Sequence, residues 1–251
     1  MSFGARLRAE RWLDVAEVWL GNRQLAWLSG VGDVAWNGDW RSSWGGGLVT
    51  TCGLDNVGAP SEGLGLHGTY SSLPARDVRE EGDLVSGVTD DPRGLRVERA
   101  IALREDGLEL TDRTTNVGAV PLEAPLLYHV HLGDWVERIE SDGTEIVPWD
   151  ADAEPHDPSR FPSHSDEPEG VWEHIGWSVA RARSDGLEVE IRSSLPRLWQ
   201  WIDPRLRALG IEPANCSVLG RAHDRAQGRL PTLAPGETRE TWLTITAKET
   251  R

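Results

Sequence analysis

The segment LVSGVTDDPRGLRVERAIALREDGLELTDRTTN, residues 84–116, alternates apolar and polar side chains over two long runs. Leu95 and Val97 lie on the first run and Leu108 lies on the second, with residues 104–107 between the runs. Period-two alternation is typical of a half-buried β-strand, and a short connection that ends in glycine lets the chain reverse with a positive φ. The segment therefore predicts an antiparallel hairpin.

The same rhythm recurs on both sides of this hairpin. Residues 12–28 hold two apolar runs broken at Gly21-Asn22, residues 177–191 hold two runs around a Ser-Asp-Gly turn, and residues 241–246 alternate again. This pattern predicts an all-β fold of antiparallel sheets with little helix. At 251 residues the chain has the length of one β domain, so we expect a single domain over residues 1–251.

The charge of the chain restricts its partners. The formal net charge is −15, and arginines are scattered rather than grouped. An acidic surface repels phosphate backbones and anionic lipid headgroups, so we expect no nucleic acid and no membrane as partner. The charge does not exclude a small neutral molecule as a partner.

Targeting and cysteine signals are weak. The first residues lack the apolar run of a signal peptide, and nothing later approaches the roughly 18 apolar residues of a membrane span, so we expect a cytoplasmic protein. Cys52 and Cys216 are too few for a disulfide framework or a zinc ribbon, and we expect two buried free thiols.

Residues 48–78, LVTTCGLDNVGAPSEGLGLHGTYSSLPARDV, concentrate glycine and polar residues between apolar runs. The glycines permit close backbone approach, and Asp55, Asn56 and His67 carry hydrogen-bonding groups that one concavity could collect. The segment is either an ordinary surface loop or a ligand-binding loop. Trp36, Trp40 and Trp44 precede it; an indole can stack on the C–H face of a sugar, and Trp40 is the candidate.

His129 and His131 share one face of a predicted strand in the segment LLYHVHLGDW, residues 126–135. Two imidazoles at this spacing beside Tyr128 favour a functional face over a structural one. Such a pair can also hold a metal ion when His67 or Glu212 completes it. No further ligand spacing supports a metal, so we expect neither a metal nor another cofactor.

Several motifs resemble the aldose 1-epimerase (galactose mutarotase) superfamily. The segment HGTYSSLPA, residues 67–75, is similar to the family's His-Gly-Phe-Ala-Arg-x-x-Pro, and residues 126–135 are similar to its Asn-His-x-Tyr-Phe. The segment LGIEPANC, residues 209–216, resembles the late strand pair that carries the family's catalytic Glu. Together with residues 50–60, these motifs are most similar to a bacterial branch of the superfamily that has long been described as a domain of unknown function.

The resemblance implies a β-supersandwich of large antiparallel sheets, with a small-molecule carbohydrate bound on a concave face. It implies Glu212 as catalytic base and His129 as acid in a sugar mutarotase. Ser71 stands where the family has a substrate-binding Arg, so Arg76 is the candidate replacement and a neutral sugar is favoured over a phosphorylated one. The residues expected to bind substrate are His67, His131, Asn56, Asp55, Arg76, Tyr128, Gln200 and Trp40.

Two other functions remain open at this point. Such folds also serve as non-catalytic carbohydrate-binding modules, and a related epimerase or isomerase acting beyond C1 could use the histidines with a metal. Residues 148–170, PWDADAEPHDPSRFPSHSDEPEG, are proline-rich, acidic and without periodicity, which predicts a long surface loop with His156 and His164 in solvent. The sequence does not indicate the oligomeric state.

Overall fold

The computed structural model describes residues 3–32, 34–133, 135–150 and 157–250. The strands, in chain order, are β1 (Phe3–Arg8), β2 (Asp14–Leu20), β3 (Arg23–Gln24), β4 (Val49–Gly53), β5 (Arg76–Glu81), β6 (Leu84–Asp90), β7 (Leu95–Arg104), β8 (Gly107–Asn116), β9 (Leu122–Glu123), β10 (Leu126–Leu132), β11 (Arg138–Ser141), β12 (Glu145–Pro148), β13 (Gly170–Ile175), β14 (Ala180–Ser184), β15 (Leu187–Ser193), β16 (Arg197–Asp203), β17 (Ala208–Ala214), β18 (Thr232–Leu233) and β19 (Thr238–Glu249). The short helices are α1 (Trp40–Ser43) and α2 (Arg221–Ala226), and 3-10 turns lie at Ala9–Arg11 and Tyr70–Ser72.

Within the described residues the strands form two large antiparallel sheets. The first has nine strands in the order β1-β2-β4-β10-β17-β16-β13-β12, with β3 paired to β2. The second has eight strands in the order β11-β14-β15-β19-β8-β7-β6-β5, and β18 pairs separately with β9. The predicted all-β supersandwich is therefore confirmed.

The main hydrophobic core lies between the two sheets. Val130 and Ile211 reach it from the nine-stranded sheet, and Ile101 and Ile245 reach it from the eight-stranded sheet. A second, smaller cluster, rich in tryptophan, covers part of the other face of the nine-stranded sheet. That sheet is therefore buried on both faces at its centre, and its outer face can carry a site.

The local predictions from periodicity are confirmed. The hairpins β2–β3, β7–β8 and β14–β15 form as antiparallel pairs. Gly21 in the first turn and Gly186 in the last have φ of +60° and +78°, where a side chain would be strained. The edge strand β1 was not predicted, although Phe3, Ala5 and Leu7 alternate with glycine and arginine in its sequence FGARLR and pack against the core.

Helix plays a small part in the architecture. Asp39 caps α1, since its carboxylate accepts a hydrogen bond from the Ser42 backbone N–H at 2.9 Å, as expected of an aspartate at this position. The cap fixes a single helical turn that carries Trp40 towards the nine-stranded sheet. In the part of the chain that the structure describes, no helix is long and apolar enough to cross a membrane.

Candidate active site

The register of two central strands creates the floor of the candidate site. In the β10–β17 pair, Val130 lies opposite Ile211. The residue before Val130 is His129, and it therefore lies opposite Glu212, the residue after Ile211. Side chains alternate along a strand, so both point away from the core between the sheets, towards the outer face.

His129 and Glu212 form a buried pair on that floor. The His129 Nε2 and Glu212 Oε1 atoms are 3.1 Å apart, and the two residues are 4% and 3% exposed. Among the described residues, none makes a well-oriented hydrogen bond to Glu212 Oε1 or to His129 Nδ1. The two side chains are in contact, but these two polar atoms lack a hydrogen-bond partner of good geometry, which is unusual for buried groups.

Burial shifts the acidity of both groups in opposite directions. It raises the pKa of Glu212 to about 8, with a smaller contribution from the negative charge of Glu169. It lowers the pKa of His129 well below its usual value, helped by the neighbouring His131 and His67. Desolvation disfavours the charged form of each group. Both shifts favour the neutral forms, a protonated Glu212 carboxyl beside a neutral His129 imidazole.

His131 supports His129 from below. The two rings stack with centroids 3.8 Å apart, and His131 is fully buried. Its Nδ1 lies 3.2 Å from the Gly47 carbonyl oxygen, so Nδ1–H donates and Nε2 is left as an acceptor. His131 does not line the cavity above His129. It holds the His129 ring rather than reaching a ligand.

His67 closes one side of the pair. Its ring centroid lies 5.3 Å from that of His129, and its Nδ1 accepts a hydrogen bond from the Gly58 backbone N–H at 3.4 Å. The contact leaves Nε2–H as the donor of this ring. Burial lowers the pKa of His67 to about 4, so the ring is neutral near pH 7 and can donate to a hydroxyl.

Tryptophans surround the histidines. Trp40 lies 4.8 Å from His67 between ring centroids, and Trp44 lies 4.5 Å from His131. Trp201 meets His129 edge-on at 5.7 Å. Trp40, the candidate for stacking on a sugar, lines the cavity together with Trp44 and Trp201, and the stacking itself stays a prediction.

These side chains line a cavity of about 850 Å³. His67, His129 and Glu212 form its deep end, and Trp149, Arg205 and Leu206 lie at its exposed end. Its lining residues are Trp27, Ser29, Gly30, Val31, Trp40, Arg41, Trp44, Gly58, Ala59, Pro60, Leu66, His67, His129, Trp149, Glu169, Val171, Trp201, Asp203, Arg205, Leu206, Glu212 and Val218.

The polar residues of the glycine-rich segment hold the segment itself. The Asp55 carboxylate accepts hydrogen bonds from the backbone N–H groups of Asn56 and Thr69 and from the Thr69 hydroxyl. Asn56 donates to the carbonyl oxygens of Ala59 and Gly65. Neither residue lines the cavity. This corrects their expected role: they shape the loop that presents His67, and they are not placed to touch a ligand.

Tyr128 and Gln200 face the opposite side of the sheet. The Tyr128 hydroxyl contacts Asp112 at 3.0 Å and Thr241 at 2.8 Å, in the core between the sheets. Gln200 bonds to His174 Nε2 at 2.8 Å and donates to the Pro158 carbonyl oxygen at 2.7 Å. Both were expected to bind substrate, and both are removed from the candidate site because alternation turns them away from the cavity.

Arg76 is also placed elsewhere. It lies on β5 at the edge of the eight-stranded sheet, where its guanidinium pairs with Asp77 and Asp90. Ser71 is fully buried. Arg76 therefore does not replace the Arg that Ser71 displaces in the resembling family, and the candidate site excludes it.

Other polar groups line the cavity beyond those that the sequence suggested. Asp203, Glu169 and Arg205 also line it; Glu169 and Arg205 are exposed, whereas Asp203 is buried. Asp203 and Trp201 could have been found by continuing the alternation of β16 from Trp199, since all three share the outer face. Trp149 and Leu206 follow strand ends and carry no such signal. His164 is exposed, whereas His156 lies outside the described residues.

The histidines do not form a metal site in the arrangement seen here. Within residues 3–32, 34–133, 135–150 and 157–250, no group of three or more His, Cys, Asp or Glu side chains is arranged to hold a metal ion. His131 Nδ1 is held by the Gly47 carbonyl oxygen, and His131 does not line the cavity. What the cavity offers is a proton-sharing pair.

Solved structures of low sequence identity share this fold. A proposed aldose 1-epimerase from Klebsiella pneumoniae superposes with a TM-score of 0.81 at 17% identity, over 98% of this chain and 77% of that one. A galactose mutarotase-like protein from Clostridium acetobutylicum gives 0.67 at 13% identity, over 99% and 93%. An aldose epimerase homologue from C. elegans gives 0.65 at 17% identity, over 100% and 97%.

Sequence comparison places the chain in a family without assigning it an activity. No curated protein matches the sequence. The profile of the family described as Domain of unknown function (DUF4432) matches residues 2–247, nearly the whole chain. This chain therefore belongs to the DUF4432 family and has the fold of galactose mutarotase-like proteins.

Proposed function

We propose that this protein is an isomerase that interconverts the anomers of a neutral sugar. The observation that carries the proposal is the buried Glu212–His129 pair, with its atoms 3.1 Å apart, on the floor of a tryptophan-walled cavity. The structural neighbours named as aldose 1-epimerases support the same class of reaction. The pair supplies a proton donor and a proton acceptor side by side, which is what anomer exchange needs.

The reaction requires two coupled proton transfers. The anomeric hydroxyl loses its proton to a base while the ring oxygen gains a proton from an acid, and the C1–O5 bond breaks to give the open-chain aldehyde. Rotation about C1–C2 and reversal of the same steps close the ring on its other face. Positioned acid–base catalysis of this kind contributes on the order of 10²–10⁴ in rate.

The shared proton defines the roles of the two residues. With the proton on Glu212, the carboxyl is the acid and the neutral His129 is the base. Transfer of the proton to His129 gives the carboxylate and imidazolium that the family resemblance implies. Both assignments describe one pair that carries a single proton, and a pKa of about 8 for Glu212 lies near the pH at which proton exchange is most effective.

The rest of the cavity suits a neutral sugar. The indoles of Trp40, Trp44 and Trp201 offer faces for the C–H side of a ring, and His67 Nε2–H can donate to a hydroxyl. At the mouth, Arg205 is paired with Asp203 through two hydrogen bonds of 3.1 and 3.0 Å. A guanidinium already held by a carboxylate is poorly available to a phosphate or a sugar acid.

The proposal is tested by replacing the two proton-carrying groups. We expect Glu212→Gln and His129→Ala each to lower anomer exchange by about 10²-fold or more, because each removes proton transfer. Exchange is measured by magnetisation-transfer NMR across a panel of free aldoses, and sugar affinity is measured separately by calorimetry. His164→Ala, at an exposed His outside the cavity, is the matched control and should exchange like the wild type.

Three results would contradict the proposal. If the wild-type protein binds a sugar and leaves its anomers untouched, it is a carbohydrate-binding module. If chelator abolishes activity and the change occurs at a carbon other than C1, it is a metal-assisted epimerase or isomerase. Loss of binding without loss of the maximal rate in Glu212→Gln would likewise remove Glu212 from the chemistry.

A further inference from the structure

The cavity above the Glu212–His129 pair is larger than one sugar ring requires. Its volume is about 850 Å³, towards the upper end of the roughly 300–1,000 Å³ that pockets for drug-sized ligands span. Glu212 and His129 are almost completely buried at the deep end. A ring that places its anomeric carbon there leaves the outer part of the cavity unfilled.

That outer part has an apolar surface of its own. Val31, Trp149 and Leu206 are 41%, 51% and 48% exposed, and all three line the cavity. Single exposed apolar residues are common and need no explanation, but several around one concavity mark a binding surface. These side chains are far more exposed than Glu212 and His129, so the outer region is distinct from the site of the proposed chemistry.

Fixed polar groups accompany the apolar side chains. The Glu169 carboxylate accepts a hydrogen bond from Trp201 Nε1 at 2.6 Å, and Asp203 accepts from the Arg205 guanidinium and from the Arg205 backbone N–H at 2.9 Å. The Glu169 carboxylate keeps lone pairs for further donors, whereas Asp203 already accepts four hydrogen bonds from Arg205 and Leu206. An aromatic face beside oriented acceptors matches a sugar ring, which has a C–H face and donating hydroxyls at its rim.

We propose that Trp149, Leu206 and Glu169 form an outer subsite that binds a second sugar ring. This inference rests on the proposed function and specifies its substrate class: a reducing disaccharide or longer saccharide whose reducing-end ring lies over Glu212 and His129. The reacting ring must keep a free anomeric hydroxyl, so the second ring is attached on its non-reducing side. An alkyl or aryl group at this position would give the Glu169 carboxylate no donor.

The test compares maltose, cellobiose and lactose with glucose, the sugar that all three carry at the reducing end. We expect at least one disaccharide to show a KM for anomer exchange about five- to tenfold lower than that of glucose. Trp149→Ala should raise that KM by about the same factor and leave the KM of glucose unchanged. The control is Trp242→Ala, at an exposed Trp on β19 outside the cavity, and it should change neither value.

Ring contacts give a second readout that does not depend on turnover. Saturation-transfer difference NMR should show contacts to both rings of the preferred disaccharide, with those of the second ring weakened in Trp149→Ala and in Glu169→Gln. Equal KM values for glucose and every disaccharide, or contacts confined to the reducing ring, would overturn the subsite while leaving the proposed activity intact. Contacts to both rings without any anomer exchange would support the subsite and overturn the isomerase.

Discussion

A carboxyl group that is 3% exposed destabilises the fold whenever it is ionised. Glu212 has its ordinary pKa of 4.5 raised to about 8 by burial, and among the described residues no guanidinium or ammonium is paired with it. The fold therefore keeps a group that is costly at neutral pH. That cost is understandable if the carboxyl must exchange protons with a ligand, since residues at functional sites often stabilise the fold less than their replacements do.

The sign of this effect is testable with Glu212→Gln. Between pH 4.5 and 8 the unfolded chain releases the proton that native Glu212 retains, so the stability of the wild type falls as pH rises through this window. Glutamine has no proton to lose. We expect Glu212→Gln to be more stable than the wild type at pH 8 by up to a few kcal/mol, and the difference to vanish near pH 4.5.

Urea unfolding of both proteins at pH 5 and pH 8 measures this difference. Other titrating groups, among them His67 with its lowered pKa, act equally on both proteins and cancel in the comparison. A stability difference that is the same at both pH values would show that Glu212 is not protonated in the native state.

At the scale of the strand, alternation decides which residues belong to the site. Along β10, Leu126, Tyr128 and Val130 join the core, and His129 and His131 face the other way. The opposite orientation of Tyr128 and His129 follows from sequence alone, because neighbours on a strand point to opposite faces. Including both in one site was an error that periodicity could have prevented.

Other features could not be derived from the sequence. The hairpins were predictable because glycine turns fix local pairing, but the order β4-β10-β17 joins strands that are far apart in the chain, and nothing local encodes it. The contact of His129 with Glu212 depends on that order. Only the family resemblance brought them together in advance. Likewise, composition could not tell that Asp55 and Asn56 use their polar groups on their own loop.

Gly210 is the element-scale feature that keeps the pair in position. It precedes Glu212 by two residues on β17, so it shares the outer face. A Cβ at this position would lie 2.4 Å from Glu212 Oε1 and 2.8 Å from the His129 Cε1 atom. Both distances are well below van der Waals contact, and the atoms that must move belong to side chains rather than to backbone.

We therefore expect Gly210→Ala to fold normally and to lose anomer exchange by about tenfold or more, because a small displacement of paired catalytic groups is enough to slow proton transfer. The matched control is Gly4→Ala on β1, where a Cβ meets nothing within 4 Å. Exchange rates and circular dichroism are measured for both variants. If Gly210→Ala exchanges at the wild-type rate, the position of the pair is not restricted as the structure indicates.

At the scale of the whole molecule, a buried polar cluster joins the two sheets. Arg99 on β7 donates to both carboxylate oxygens of Asp112 at 2.8 and 2.7 Å and to the Thr51 hydroxyl on β4 at 2.8 Å. Its guanidinium also lies 3.9 Å from the Trp12 ring centroid. Thr51 is next to Thr50, the residue that pairs with His129, so this cluster lies beneath the site.

We expect Arg99→Met to destabilise the protein by about 3–5 kcal/mol, because it leaves the Asp112 carboxylate buried without its partner. The double variant Arg99→Met with Asp112→Leu should be destabilised by less than the sum of the two single changes, since it removes both partners of the Arg99–Asp112 pair. Asp14, 3.8 Å from the guanidinium, loses Arg99 in the single and the double variant alike. Arg104→Met is the control: Arg104 pairs with Glu109 at 3.0 Å with both side chains about half exposed, and its loss should cost about 0.5 kcal/mol or less. Urea unfolding of the four variants gives the comparison. If Arg99→Met and Arg104→Met lower the free energy of unfolding equally, the two sheets are held together by apolar packing alone.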